Sequence, residues 1–320
     1  DETISVTVNT FSTMLDLMDE YPDFCFSQSQ ASTYEIIEKY APELLPRIKQ
    51  RVKEGRWELS AVNWVEADKN MPNLESFARH ILLTKDYLSK LFDVDKDDLC
   101  LDFEPDTFGH SLFIPEILTE GNVKYYYQHR GIELVGPYRW KSPSGKEVIG
   151  YAESQGYNAD IMPGQLMCAS FNAFPYLFKS SGLTKMLKVY GVGDHGGGAT
   201  RNDLDSIIKI NKWPLMPNLK FGTYKEFFEH AEANKDKLQV IEGEHNPVFT
   251  GCYTSQSLIK QGNKEGENKL FAAELYNAAC GDRTQDVTKK AWKNILFNQF
   301  HDILTGSGVQ ATREYDSGLY

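Results

Sequence analysis

The sequence has no CxxC pair, no long apolar run, no basic stripe and no internal repeat. Each absence removes a class of protein. The five cysteines (Cys25, Cys100, Cys168, Cys252, Cys280) are scattered and odd in number, so neither a disulfide framework nor a thiolate metal site is indicated. No apolar stretch approaches the roughly 20 residues that a membrane-spanning helix needs. The net charge is −11 with no block of like charges, which speaks against nucleic acid and anionic membrane as partners. A neutral polar ligand fits better. What remains is an ordinary globular composition, 41% hydrophobic and 25% charged, long enough for one large core or two domains. The 17 tyrosines and 18 phenylalanines suit stacking on the C–H faces of sugars, and they equally suit a plain core.

The first 250 residues alternate helical and strand-like patterns. Apolar positions at helical spacing (Tyr34, Ile37, Ala41, Leu44, Leu45, Ile48, Val52) predict helix over 31–54, broken near Pro42 and Pro46. Residues 57–64 read as a strand, and 74–91 as an amphipathic helix that Asn73 can cap. Short β runs recur at 99–103, 123–127, 147–151, 186–190 and 238–241. Helical patterns fall at 114–119, 203–210 and 224–233. Strands alternating with helices predict a mostly parallel sheet, here an α/β barrel domain over 1–250. After residue 251 the pattern turns helical, with an Ala-rich run at 264–280 and a second helical run at 286–304. A helical-bundle domain is expected over 251–320.

Four groups could carry chemistry. The apolar run Leu99-Cys100-Leu101-Asp102-Phe103 leads into Glu104-Pro105-Asp106-Thr107-Phe108-Gly109-His110-Ser111. A carboxylate at the carboxyl end of a buried strand is where α/β folds place reacting groups, so Asp106 is the first candidate. The same residue type after proline also serves as a turn or helix cap, and residue types alone leave both open. His301-Asp302, flanked by apolar residues, can be a metal ligand with its neighbour, or an acid/base with its orienting group; a core histidine bonded to a carbonyl is the alternative. The loop Gly191-Val192-Gly193-Asp194-His195-Gly196-Gly197-Gly198 lacks the Lys-Ser/Thr of a phosphate loop, and Asp194 would repel phosphate. It reads as a device that places Asp194, with His195, against a neutral ligand, or else as a flexible connection. Glu242 and Glu244 follow another strand-like run and are either a second carboxylate source or a solvated turn. Carboxylates on different strands suggest glycoside hydrolysis.

In this order the segments resemble the family-38 glycoside hydrolases, the class II α-mannosidases, in their bacterial-type branch. The early blocks are Thr10-Phe11-Ser12-Thr13, Phe26-Ser27-Gln28-Ser29-Gln30-Ala31 and Gly55-Arg56-Trp57-Glu58, followed by Asn63-Trp64-Val65-Glu66-Ala67-Asp68. Pro105 to Ser111 resembles the nucleophile motif, and the Gly193-Asp194 loop the family's Gly-Asp-Gly-Gly loop. Gly251-Cys252-Tyr253-Thr254-Ser255-Gln256 resembles the entry to the three-helix bundle, and Asn298-Gln299-Phe300-His301-Asp302-Ile303-Leu304 the metal-histidine motif.

The resemblance implies a (β/α)7-type barrel, a helical bundle and retaining cleavage of mannose-containing oligosaccharides assisted by one divalent ion, Zn²⁺ with Ca²⁺ as the alternative. It makes Asp106 nucleophile and metal ligand, His301 a second ligand, and Asp302 a sugar-hydroxyl contact. The family's acid/base place falls on His195, which leaves Asp194 as first candidate for acid/base or substrate binding, with Glu244 and Glu242 behind it. Trp64, Tyr127 and Arg130 are candidate pocket residues. The family's early His-x-Asp motif has no counterpart after Asp1, so the chain reads as an internal portion of a larger enzyme. It is expected to lack a barrel strand and two metal ligands, and alone to bind metal weakly and be inactive. The rival readings are a mannoside-binding module without turnover, and a carbohydrate deacetylase-like metal hydrolase.

Overall fold

The computed structural model describes residues 2–153, 156–158, 161–162, 174–281 and 285–318; Cys168 and the His195 side chain lie outside the described residues. The fold is mixed α/β. Its elements are α1 (Glu2–Glu20), β1 (Phe26–Gln28), α2 (Ala31–Tyr40), α3 (Leu45–Lys53), β2 (Trp57–Leu59), α4 (Leu74–Phe92), β3 (Leu101–Glu104), α5 (Ile114–Glu120) and β4 (Tyr125–Gln128). There follow β5 (Gly136–Lys141), β6 (Glu147–Ala152), α6 (Phe174–Ser181), α7 (Arg201–Ile210), α8 (Tyr224–Glu232), β7 (Val240–Glu242), α9 (Ser257–Cys280), α10 (Gln285–Asn298) and α11 (Gln310–Ser317).

Among the described residues the strands make two sheets. β1 and β2 pair in parallel, and five strands pair in the order β3-β4-β6-β5-β7. β3, β4 and β6 are parallel neighbours, and β5 enters antiparallel to β6. β4 is buried at all four positions, as expected of a parallel strand covered on both faces. The register sets Glu104 opposite Gln128, so the chains leaving β3 and β4 emerge side by side. Two residues beyond each strand stand Asp106 and Arg130.

The helices follow local chemistry. Pro42 and Pro46 break the 31–54 helix: α2 ends at Tyr40, a short 3-10 turn spans Pro42–Leu44, and α3 resumes at Leu45. Asn73 caps α4 by accepting from the Ser76 amide at 2.8 Å, and Asp93 ends it in the left-handed conformation. Thr200 and Asp203 form a reciprocal capping box at the start of α7. α9 packs on α10, and α10 on α4, so the C-terminal helices lie against the α/β part.

Several boundaries differ from the sequence reading. Residues 57–64 supply only three strand residues, and 186–190 enter no ladder. β5 and α1 have no counterpart in that reading. α1 buries Phe11, Met14, Leu15 and Met18, one face at helical spacing. Cys25, Cys100, Cys252 and Cys280 are free thiols. Among the described residues no helix is long and apolar enough to cross a membrane.

Candidate active site

The ends of β2, β3 and β4 and the turn after α10 converge on one place. Arg130 grips Asp106 Oδ1 through Nε and a terminal guanidinium nitrogen, two residues beyond strand ends that the β3/β4 register sets side by side. Asp106 Oδ2 is turned the other way and lies 3.8 Å from His301 Nε2. The Asp106 side chain is 15% exposed and that of Arg130 28%, so both members of the pair reach solvent. The Arg130 guanidinium also lies over the rings of Phe108 and Phe249, which holds the fork in place.

His301 reaches the site because residues 66–68 and 299–301 pair locally. The Asp68 amide donates to the Gln299 carbonyl at 2.9 Å, and the His301 amide to the Glu66 carbonyl at 3.1 Å. His301 Nδ1 lies 3.0 Å from the same Glu66 carbonyl. A carbonyl only accepts, so Nδ1 carries a proton, and in the neutral ring Nε2 presents a lone pair. That lone pair faces the Asp106 carboxylate. Two lone-pair donors pointed at each other are stable when a cation or a proton lies between them, and a carbonyl-anchored imidazole is the usual arrangement behind a metal-binding histidine. Asp106 and His301 therefore fit as two ligands of one divalent ion. Among the described residues no group of three or more His, Cys, Asp or Glu side chains could complete the set.

Asp302 Oδ2 lies 4.0 Å from His301 Nε2, its side chain half exposed and its Oδ1 accepting from Ser307 Oγ at 2.7 Å. Asp194 is exposed on the glycine loop. The Tyr157 hydroxyl donates to Asp194 Oδ1 at 3.3 Å and also faces Asp106. Burial, then the Asp106 and Asp194 carboxylates, holds the Tyr157 phenol above its ordinary range. The loop folds back on itself: the Val192 amide donates to the Gly198 carbonyl at 3.0 Å. A Cβ at Gly191 would stand 2.9 Å from the Gly198 backbone, and one at Gly193 2.7 Å from Asn158. The glycines thus permit a compact turn that carries Asp194 forward.

Asp106, Arg130, His301 and Asp302 are brought together, and Asp194 joins them through Tyr157. The other candidates stand elsewhere. Trp64 is buried in the core against Tyr87, with Lys293 over its ring. Tyr127 stacks with Phe103 and Tyr151 inside the sheet's core. Glu242 pairs with Lys141 at 3.1 Å at the exposed end of β7, and Glu244 is exposed two residues on. It is their neighbour His245 that turns inward. His110 and His245 exchange both backbone hydrogen bonds at 2.9 Å, and His110 Nε2 lies 3.2 Å from the Arg130 carbonyl. His110 thereby links the nucleophile-like motif to the strand end that carries Arg130. Tyr157, Glu66 and His245 were not singled out from sequence. Polar Glu66 between apolar Val65 and Ala67 was the available signal for the second.

Beneath the site is a buried charged cluster. Lys69 Nζ lies 2.8 Å from Glu104 Oε1 and 3.1 Å from Asp102 Oδ2. Asn63 donates to both carboxyl groups, and Thr107 Oγ1 donates to Glu104 Oε2 at 2.6 Å. Burial pushes the Glu104 carboxyl well above the usual range, with Lys69 pulling the other way. Burial also raises Glu66, opposed by His301 and by the amides it accepts.

Comparison with known proteins gives this arrangement a family. Residues 1–251 match the model of the glycosyl hydrolases family 38 N-terminal domain, and residues 247–318 that of the alpha mannosidase middle domain. The chain is 30% identical to alpha-mannosidase G of Dictyostelium discoideum, aligned over 98% of this chain and 29% of that protein. It is 28% identical to human alpha-mannosidase 2C1 over 98% of this chain and 31% of that one. The chain thus spans just under a third of the length of these curated relatives. An alpha-mannosidase from Enterococcus faecalis V583 superposes with a TM-score of 0.82 at 19% identity, covering 99% of this chain and 39% of that one, which shows the shared fold. The family-model match over most of the chain, together with these relatives, establishes that it belongs to the glycosyl hydrolases of family 38.

Proposed function

We propose that the protein containing this chain is a retaining α-mannosidase that cleaves terminal α-mannosidic bonds of oligosaccharides, with Asp106 as the nucleophile. The observation that carries the reading is the two-sided hold on Asp106: Oδ1 gripped by Arg130, and Oδ2 3.8 Å from His301 Nε2. A carboxylate used only to cap a turn needs neither partner. The relatives' names supply the sugar, since both are called alpha-mannosidases.

In this reading the Asp106 carboxylate attacks the anomeric carbon as the glycosidic C–O bond breaks. The Asp194 carboxyl group gives its proton to the leaving oxygen. Its carboxylate then takes a proton from water, which displaces Asp106 from the sugar with net retention. Retaining enzymes hold the two carboxyl groups about 5 Å apart. Tyr157, facing both, supports Asp194 over Glu242, which pairs with Lys141, and over the exposed Glu244. Arg130 fixes the Asp106 carboxylate plane, and Asp302 accepts from a sugar hydroxyl. Asp106 and His301 would hold a divalent ion, Zn²⁺ or else Ca²⁺; such an ion, when bound, supplies Lewis-acid attraction for the hydroxyls of the sugar being cleaved.

The test is product stereochemistry with an aryl α-mannoside and the full-length protein. Proton NMR should show α-mannose forming first, and Asp106→Asn should lose at least about 10³-fold in kcat. β-Mannose as first product would overturn retention. Release of acetate from an N-acetylated sugar without glycoside cleavage would replace this reading with the deacetylase one.

A further inference from the structure

The backbone amides of Asp106 and Thr107, in the turn after β3, face a buried side chain. Neither is part of a helix or strand, so each needs an acceptor there. Both are satisfied by one atom. Glu66 Oε1 accepts from the Asp106 amide at 2.6 Å and from the Thr107 amide at 3.0 Å. Glu66 is 6% exposed and comes from the segment after β2, forty residues away in sequence. Its main-chain carbonyl meanwhile takes both the His301 amide, at 3.1 Å, and the His301 Nδ1 proton, at 3.0 Å. One residue therefore grips the turn that carries Asp106 and the imidazole that faces Asp106. Its carboxylate Oε1 also lies 3.8 Å from His301 Nδ1.

We infer that Glu66 is a positioning residue for the site: its carboxylate locks the Asp106 turn and its carbonyl locks the His301 ring, so that one short segment sets the spacing between Asp106 Oδ2 and His301 Nε2. The inference rests on Asp106 being the nucleophile. Charge-assisted bonds from a carboxylate to paired amides are short and directional, which suits a turn that must hold one oxygen in place. Without them the Asp106–Thr107 peptide can rotate, and the carboxylate moves with it. Misplacement of a reacting group by about 1 Å costs on the order of 10²-fold in rate.

The experiment compares wild type, Glu66→Ala, Glu66→Gln and Asp106→Ala in the full-length protein, with an aryl α-mannoside as probe. Glu66→Ala should lower kcat by about 10²-fold per folded molecule with KM within about threefold. Glu66→Gln should recover most of that loss, because its amide oxygen still accepts both N–H groups. A folded Glu66→Ala protein with wild-type kcat, or a Gln variant as impaired as the Ala variant, overturns the inference. Asp106→Ala separates the two claims. If it retains turnover, the nucleophile reading fails; if it is dead while Glu66→Ala is normal, only the role of Glu66 fails. Should Glu66→Ala not fold, amide exchange of the wild-type protein decides. The Asp106 and Thr107 amides should exchange slowly although they lie outside regular structure, and fast exchange of both would contradict the lock.

Discussion

Replacing Lys69 by methionine removes the cation from the cluster beneath the site while keeping most of its length. The Lys69 side chain is 2% exposed, with Nζ 2.8 Å from Glu104 Oε1 and 3.1 Å from Asp102 Oδ2. Without it two buried carboxyl groups face each other, with Asn63 as their shared donor. Breaking a buried ion pair by deleting one partner costs about 3–5 kcal/mol. Burial already pushes Glu104 well up, so protonation offsets part of the loss and places the expectation near the lower figure, about 3 kcal/mol. Urea unfolding should show the midpoint shifted with an unchanged slope. A triple variant, Lys69→Met with Asp102→Asn and Glu104→Gln, should recover most of the stability, since no charge is then left unpaired. A loss below about 1 kcal/mol for Lys69→Met would refute the reasoning, because it would mean that water or another cation reaches the carboxylates. The cluster touches the site through the bond from Thr107 Oγ1 to Glu104 Oε2, so activity should fall with stability.

Three further outcomes follow from other parts of the structure. A Cβ at Gly109 would strike Asn246 Oδ1 and stand 2.6 Å from the Tyr253 hydroxyl, so Gly109→Ala should cost about 1–3 kcal/mol in thermal or urea unfolding and lower activity with it. Burial holds His80 down to about 3, with Nδ1 accepting from the Trp64 amide and Nε2 facing Gln299 Oε1. The unfolded chain thus takes up a proton that the native state refuses, and stability falls as pH drops from about 6.5 toward that value. Wild type should lose about 1.6 kcal/mol between pH 6.5 and 5 relative to His80→Gln, measured by urea unfolding at both; parallel curves would contradict it. Thr200→Ala breaks the capping box that anchors α7 behind the glycine loop, and should cost about 1 kcal/mol while leaving Asp106 chemistry in place.

Much of the site was legible because its parts are short and local. Asp106 at a strand end, His301-Asp302 and the glycine loop each stand out by residue type. Asn73 and the two prolines mark helix boundaries through chemistry confined to one turn. What the sequence left out is relational. Nothing near Arg130 announces that it grips Asp106, because that contact depends on the β3/β4 register setting Glu104 opposite Gln128. Glu66 is one polar residue in an apolar segment, and only the pairing of 66–68 with 299–301 gives it two jobs. The 186–190 run has strand composition yet enters no ladder, since pairing needs a neighbour as well as a propensity. β5 was missed for a related reason: Gly136-Pro137 opens it and a Ser-Pro-Ser-Gly turn closes it, so its flanks read as loop. Glu242 and Glu244 carry the charge of their segment, whereas His245 beside them is the residue the fold buries.

The account turns on Asp106 forming a bond to sugar. The direct measurement is to incubate the full-length protein with a fluorinated α-mannosyl fluoride, which slows breakdown of a glycosyl-enzyme, then digest it and sequence the labelled peptide by mass spectrometry. The account predicts one sugar per active site, on Asp106. Turnover of the reagent with no covalent label, or a label on another carboxylate such as Asp194 or Glu66, would contradict it.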